Sequence, residues 1–552
     1  MKCRKYLLAL LAPAFLLSSN AQESVNLGKF TGNFQLDGQY YMKDSKIGAE
    51  DVKEKILSNG FFNLNYVNGN IYAGIRYENY ENPILGTDSR YKGSGIANRY
   101  IRYNNGFIDA TAGNFYEQFG SGMILRSYEE KQLGIDNSID GVKVKLYPTE
   151  GVELTALIGK ERAFWSVGES IVRGADANFD INALCPSIMG NSVRLSLGAS
   201  VVSKYQEDKD PTLKLPENVA AGAFRFNLAG EKFSLGSEFA YKINDPSATN
   251  NKTYNDGTGF MLQGAYFDDG IGVSLNFHRI DNMDFRADRN ARGNYLNLNY
   301  IPPISKQHSY SLTSMYPYST QLNGEVGMSA ELNYTFSKES FLGGKDPWSF
   351  TLNYSRAQAI DTTNNNDRTY DSPFFTFGKR TYFQDVNLYA SKKISKNVKA
   401  NFALVYELYD RDLLEKEGEP HFGKVQAITA VADFTFKLNA KNAIRAELQH
   451  QWYSQDSSFY DKSYNNGNWV AGLVEYTVAP KWYFTIMDEY NYGNEFSDKQ
   501  LHYLTLSTAY VHEGTRVQIG YGRQRAGILC VGGVCRQVPS ANGFNLSVSS
   551  SF

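Results

Sequence analysis

The residues of this chain best suited to metal binding or nucleophilic chemistry are its six histidines and four cysteines, and their spacing serves neither purpose. His278, His308, His421, His450, His502 and His512 are scattered, with no two at metal-ligand spacing, so they read as solvent-facing or interfacial side chains. The chain has no nucleophile elbow, no His-Glu-x-x-His helix and no glycine loop to cradle phosphate. The expectation is a protein that is not an enzyme and carries no metal or cofactor. Cys530 and Cys535 sit close together. In an oxidising compartment that spacing suits a disulfide pinning a loop tip, with a reduced pair in a tight hairpin as the alternative. Two sulfurs without a nearby histidine cannot complete a tetrahedral shell, and Cys185 has no obvious partner.

Charge concentrates in one irregular stretch, Phe115 to Asp136, where Arg126, Glu129, Glu130 and Lys131 sit among aromatics. It is either an inward constriction carrying those four charges or an outer loop packed by its own Tyr and Leu. A second irregular stretch runs from Pro302 to Tyr318. Proline removes a ladder donor, so Pro302 and Pro303 are read as ending one strand and Pro317 as ending the next.

Strands are the elements that must hold these residues. Phe30, Gly32, Phe34, Leu36, Gly38, Tyr40 and Met42 alternate with polar partners, and Asn68-Gly69-Asn70 turns the next strand straight back. Tight turns then alternate with long polar connections along the whole chain. At its end Phe544, Leu546 and Val548 alternate with Asn545, Ser547 and Ser549, the pattern breaks at Ser550, and the chain stops on Phe552. That segment resembles the closing strand of bacterial outer-membrane barrels, with Phe552 as the assembly signal. It implies two partners, membrane lipid and the barrel-assembly machinery. A barrel is the one sheet that sits in lipid without an open edge.

Compartment and composition agree with this reading. Lys2, Arg4 and Lys5 precede an apolar run from Tyr6 to Leu17, and Ser19-Asn20-Ala21 offers a cleavage site, so residues 1–21 read as a secretory signal cut after Ala21. No other apolar stretch approaches the roughly 20 residues of a spanning helix. Residues 22–552 read as a single barrel domain of the Gram-negative outer membrane. Tyr (39), Phe (34) and Gly (48) are abundant and Pro (15) is scarce, which favours strands, while a mean hydropathy of −0.43 leaves half of each strand polar. Losing three basic residues with the signal takes the formal charge from −2 to −5, and no basic run exists to bind nucleic acid.

The segmentation gives an all-β, antiparallel up-and-down transmembrane barrel of about 26 strands, or roughly 24 if Ile171 to Asn182 and Gln307 to Tyr316 are not strands. The first of these is required to keep the alternation of short and long connections. Facing follows from cost. Flipping Ala220 to Leu228 would put Arg225 in lipid, at roughly 2–4 kcal/mol near the midplane. The same reasoning turns Lys143, Lys145, Arg194, Glu238, Glu407, Asp433, Arg445, Glu447 and Arg516 towards the lumen. Aromatics at strand ends, Tyr40, Tyr41, Tyr66, Tyr300 and Trp482 among them, read as interfacial girdles.

Phe115 to Gly122, Leu133 to Asp136, Lys306 to Leu312 and the Cys530 to Cys535 loop resemble an uncharacterised family of large outer-membrane barrels in Bacteroidota. The resemblance implies fold and location and brings no substrate. The first strand begins about nine residues after the cleavage site, so no separate plug domain is expected. A ring this wide cannot be filled by wall side chains, so inward loops, a partner protein or water must occupy it. Two functions follow as expectations: a porin-like channel for polar solutes with weak charge selectivity, or a non-channel scaffold of a secretion or assembly machine, sealed by an envelope protein.

Overall fold

The computed structural model describes residues 28–189, 192–365, 367–416, 422–456, 466–531 and 534–552. The signal and its cleavage site lie outside the described residues. Twenty-four long strands, from Lys29–Tyr41 to Ala541–Ser551, run up and down in one antiparallel sheet. First and last strands pair from Asn33 opposite Ser551 to Tyr41 opposite Gly543, which closes the sheet and leaves no edge. Among the described residues no helix is long and apolar enough to cross a membrane.

The count is the lower of the two that the sequence allowed. Ile171–Asp180 is a wall strand, paired on both sides. The stretch before Pro302 and the stretch Gln307 to Tyr316 are not strands; both belong to an inward segment, residues 282–323, that leaves the wall after Ile271–Asp281 and rejoins it at Gly324–Thr335. Alternation reports only that two faces differ. It does not say whether the apolar face meets lipid or the inside of a barrel wall.

Wall strands place apolar side chains outward. Phe224, Phe239, Leu262, Leu275, Leu404 and Leu448 are all exposed on the outer surface, where a soluble protein would bury them. Their neighbours in sequence turn in: Gly198, Arg225 and Glu238 stand opposite one another across three strands, and Arg225 and Glu238 are buried. Two expected girdle residues behave differently. Tyr41 is buried in an apolar cluster, and Tyr300 lies in the inward segment.

Closure reaches the last residue. Phe552 and Gly32 exchange backbone hydrogen bonds of 3.0 Å in both directions. The Phe552 ring, 66% exposed, stacks near Phe62 at 6.5 Å. A Cβ on Gly32 would meet that ring at 2.5 Å, so glycine is what lets the terminal ring lie across the seam. At the opposite kind of position, Gly69 turns Ile56–Asn68 into Ile71–Tyr80 with a φ of +56°.

Candidate functional site: an occupied lumen

Twenty-four strands tilted near 40° enclose a ring roughly 45–50 Å across, far too wide for wall side chains to fill. The chain fills much of it with its own connections. Residues 116–138 and 282–323 leave the long-loop end of the wall and pack inside.

The two segments are joined to each other by backbone. Arg126 N donates to Leu298 O at 2.7 Å and Tyr300 N to Gly122 O at 3.0 Å. Asn299 Nδ2 donates to Met123 O (3.0 Å) and Met283 O (2.7 Å), and Asn137 Nδ2 to Asn297 O (2.7 Å). Around this ladder Phe119, Met123, Leu125, Phe285, Leu298 and Ile301 form one apolar cluster with inward wall residues such as Val202, Val219 and Ala240. Two lysines buried on the wall clamp the same region. Lys204 pairs with Asp245 (2.6 Å) and donates to Arg286 O (2.8 Å); Lys242 donates to Asp284 O (2.6 Å). Residues 283–301 form the first arm of the plug.

The second arm, residues 306–318, buries Leu312, Met315, Tyr316 and Tyr318 in a second apolar cluster with wall residues such as Phe383, Tyr409 and Trp469, and is held by polar side chains as well. Lys306 pairs with Glu331 at 3.0 Å. His308 places Nδ1 2.7 Å from the Tyr389 hydroxyl and Nε2 3.0 Å from Asp385. Tyr310 donates to Asp433 at 3.3 Å. Leu312 N donates to Gln449 Oε1 (3.0 Å), and Gln451 Nε2 donates to Leu312 O (2.9 Å). Burial pushes the Tyr310 hydroxyl up to about 12, with Asp433 adding to the shift. Tyr318 titrates well above its ordinary value, first through burial and then through Glu325, to which it donates.

The irregular charged stretch folds inside the barrel, and its four charges face different neighbours. Arg126 lies 4.7 Å from the Tyr128 ring and 4.2 Å from the Tyr300 ring. Glu129 pairs with Arg76 at 2.8 Å, Glu130 accepts from Gln132 N at 3.0 Å, and Lys131 sits 4.6 Å over the Phe61 ring. Glu78, Glu129 and Asp136 bring three carboxylates together, but Arg76 and Arg162 occupy the place a cation would take. Burial raises Glu129 above its usual value. Burial also acts on Asp136, where Arg76 and Arg162 outweigh it and hold the carboxyl below its usual value.

All ten expected lumen charges stand on the inner face. Arg225 binds Asp176 and the Ser200 hydroxyl, each at 2.6 Å, and Glu238 accepts from Ser121 N at 2.8 Å. Lys143 and Lys145 meet Glu117 at 3.0 and 3.1 Å. Arg445 bridges Asp433 (3.1 Å) and Glu447. Arg194 and Arg516 are exposed near the short-turn end, opposite Ala229 and Ser549. Glu407 is buried on Val398–Asp410. Cys530 and Cys535 form a disulfide in a hairpin that leans on the plug, where Asn294 Nδ2 donates to Cys535 O at 2.6 Å.

Sequence reasoning missed the plug's fastenings. His278 and His308 are not solvent-facing: His278 is buried 2.6 Å from Glu325, and His308 joins the second arm to the wall. Lys204 and Lys242 could have been found, because both fall on the inward register of their strands. His308 could not, since its partners lie far along the chain.

A closed antiparallel barrel with an apolar outer belt and a self-filled polar lumen defines a transmembrane barrel of the outer-membrane type. Within that class the chain belongs to the Family of unknown function (DUF6029), whose model matches residues 2–552. No curated protein matches. Solved structures with a similar outline include the P pilus usher (PapC) translocation pore, at 11% identity and a TM-score of 0.45, covering 94% of this chain and 99% of that one. The siderophore receptor PirA from Pseudomonas aeruginosa matches at 8% identity and a TM-score of 0.41, covering 95% and 80%. The ferric enterobactin receptor PfeA in complex with BCV-L6 matches at 11% and 0.43, covering 95% and 82%. The likeness is one of general barrel outline.

Proposed function

We propose that the protein is a self-plugged, porin-like channel, passing small polar solutes along a lane beside its plug with weak charge selectivity. One observation carries this reading: part of the wall is left uncovered. In Thr505–His512 and Thr515–Gln524 only Ala509 is buried, whereas the inner faces of Asn218–Gly230 and Lys424–Lys437 are mostly buried by the plug. Between Ser314 of the second arm and this bare wall lies a cavity of about 370 Å³, lined by Glu489, Thr505, Arg523, Arg525 and Asn545. Charges of both signs line it, so strong ion selection is not expected. The second arm, held by polar fastenings and by burial of Leu312, Met315, Tyr316 and Tyr318 in an apolar cluster, separates this lane from a wider opening.

The scaffold reading drew its motive from an open lumen that would leak. The chain's own segments occupy that lumen, so passage comes first. The test is planar-bilayer recording of the purified protein beside a variant in which 302–318 is replaced by a short Gly-Ser bridge. The wild type should give small discrete steps and the variant steps several-fold larger. Two folded barrels that both stay silent would refute the channel.

A further inference from the structure

A second cavity, of about 380 Å³, lies on the other side of the second arm, between Pro302, Pro303 and Tyr318 of the plug, Phe383 and Glu407 of the wall, and Leu529 of the disulfide hairpin. Its volume falls within the range of roughly 300–1,000 Å³ usual for small-molecule sites. Its walls mix ring and hydrocarbon with polar groups: Tyr318 stacks on Phe383 with centroids 5.0 Å apart, the prolines and Leu529 supply further apolar surface, and Ser305, Lys306, Gln307, His308, Thr313 and Ser314 line the rest.

Glu407 stands out in this mixed lining. It sits on the inner face of Val398–Asp410, 1% exposed, and its Oε2 has no hydrogen-bond partner among the described residues. The charged groups around it are already engaged. Asp385, opposite Glu407 in register, takes His308 and Asn387; Lys306 pairs with Glu331 and lies 5.0 Å over the Tyr389 ring. A buried carboxyl left unpaired is costly, and ring faces attract cations. An anion would be repelled by Glu407, and a neutral donor could hydrogen-bond to it but would bring no opposite charge. A metal ion would find one carboxylate and no second ligand, because both His308 nitrogens are engaged.

We propose that this cavity binds a small organic ammonium with an apolar body, its N–H groups donating to the Glu407 carboxyl and its body lying against Tyr318, Phe383 and the prolines. The site stands whether or not the neighbouring lane conducts.

The test is isothermal titration calorimetry of the full-length protein in detergent with 2-phenylethylammonium, beside its neutral isostere 2-phenylethanol and the anion 3-phenylpropionate. Saturable binding of the ammonium is expected, at least tenfold tighter than either comparison compound. Glu407→Gln should remove that preference while leaving weak binding of the alcohol, and Leu529→Trp, which fills the cavity from the hairpin side, should abolish both. Equal binding of ammonium and alcohol, no saturable binding, or an unchanged ammonium affinity in Glu407→Gln would overturn the proposal. Should Glu407→Gln fail to fold, an undiminished ammonium affinity in Leu529→Trp would overturn it as well.

Discussion

The two arms of the plug are fastened by different physics. Residues 283–301 are sewn to residues 116–138 by backbone hydrogen bonds and bury Phe285 and Leu298 in a continuous apolar cluster. Residues 306–318 combine burial of Leu312, Met315, Tyr316 and Tyr318 in a second apolar cluster with side-chain contacts to separate wall residues: Glu331, Asp385, Tyr389, Asp433 and Gln449. An apolar cluster and a backbone ladder are lost together or not at all. Separate polar contacts exchange for water one at a time, each at a net cost of about 0.5–1.5 kcal/mol. The second arm, fastened by separable polar contacts as well as by apolar burial, is expected to loosen before the first.

That contrast can be broken by substitution. The largest effect is expected from Phe285→Ala in the first arm, a fully buried ring whose loss should cost about 3–5 kcal/mol. Urea unfolding followed by heat-shifted gel migration measures it. A loss under about 1 kcal/mol would mean the first arm does not depend on its core.

Next comes pH, acting on the same region through Asp136. Its folded carboxyl titrates below the unfolded value, so the stability it confers is complete above the unfolded value and lost as pH falls through the folded one. The unfolding midpoint should decline from about pH 4 downward, and Asp136→Asn should flatten that decline. A pH response identical in both proteins would remove Asp136 from that role.

In the second arm His308→Ala should cost about 2–3 kcal/mol, since it removes two polar contacts and leaves the buried Asp385 carboxyl to the donor of Asn387. Bilayer conductance should nevertheless rise, with larger or more frequent steps. Unchanged conductance would show that the arm is not the part that loosens first. The smallest effect belongs to Lys306→Ala, whose pairing with Glu331 is partly exposed and worth roughly 0.2–1 kcal/mol. Its expected readout is a slight rise in open probability with no measurable shift in unfolding.

Much of the wall was legible in the residues. The inward direction of Arg225, Glu238, Asp433 and Glu447 follows from what each would cost in lipid, and strand pairing puts all four on the inner face. The seam was legible at Phe552, whose backbone completes the closure. The plug was not. Leu296 to Tyr300 alternates as a wall strand does, yet its leucines pack inside the barrel. His308 looked like a stray side chain because Tyr389 and Asp385 come close only when distant strands curve round the lumen.

The order of residues alone determined that this chain makes long two-faced strands joined alternately by short and long connections, because a period of two and the turn chemistry act between near neighbours. What fills the ring, how each arm is fastened and where Glu407 Oε2 is left without a hydrogen-bond partner among the described residues were decided by the closed barrel. Those outcomes rest on contacts between residues far apart in the chain, and closure is what gives them a common interior.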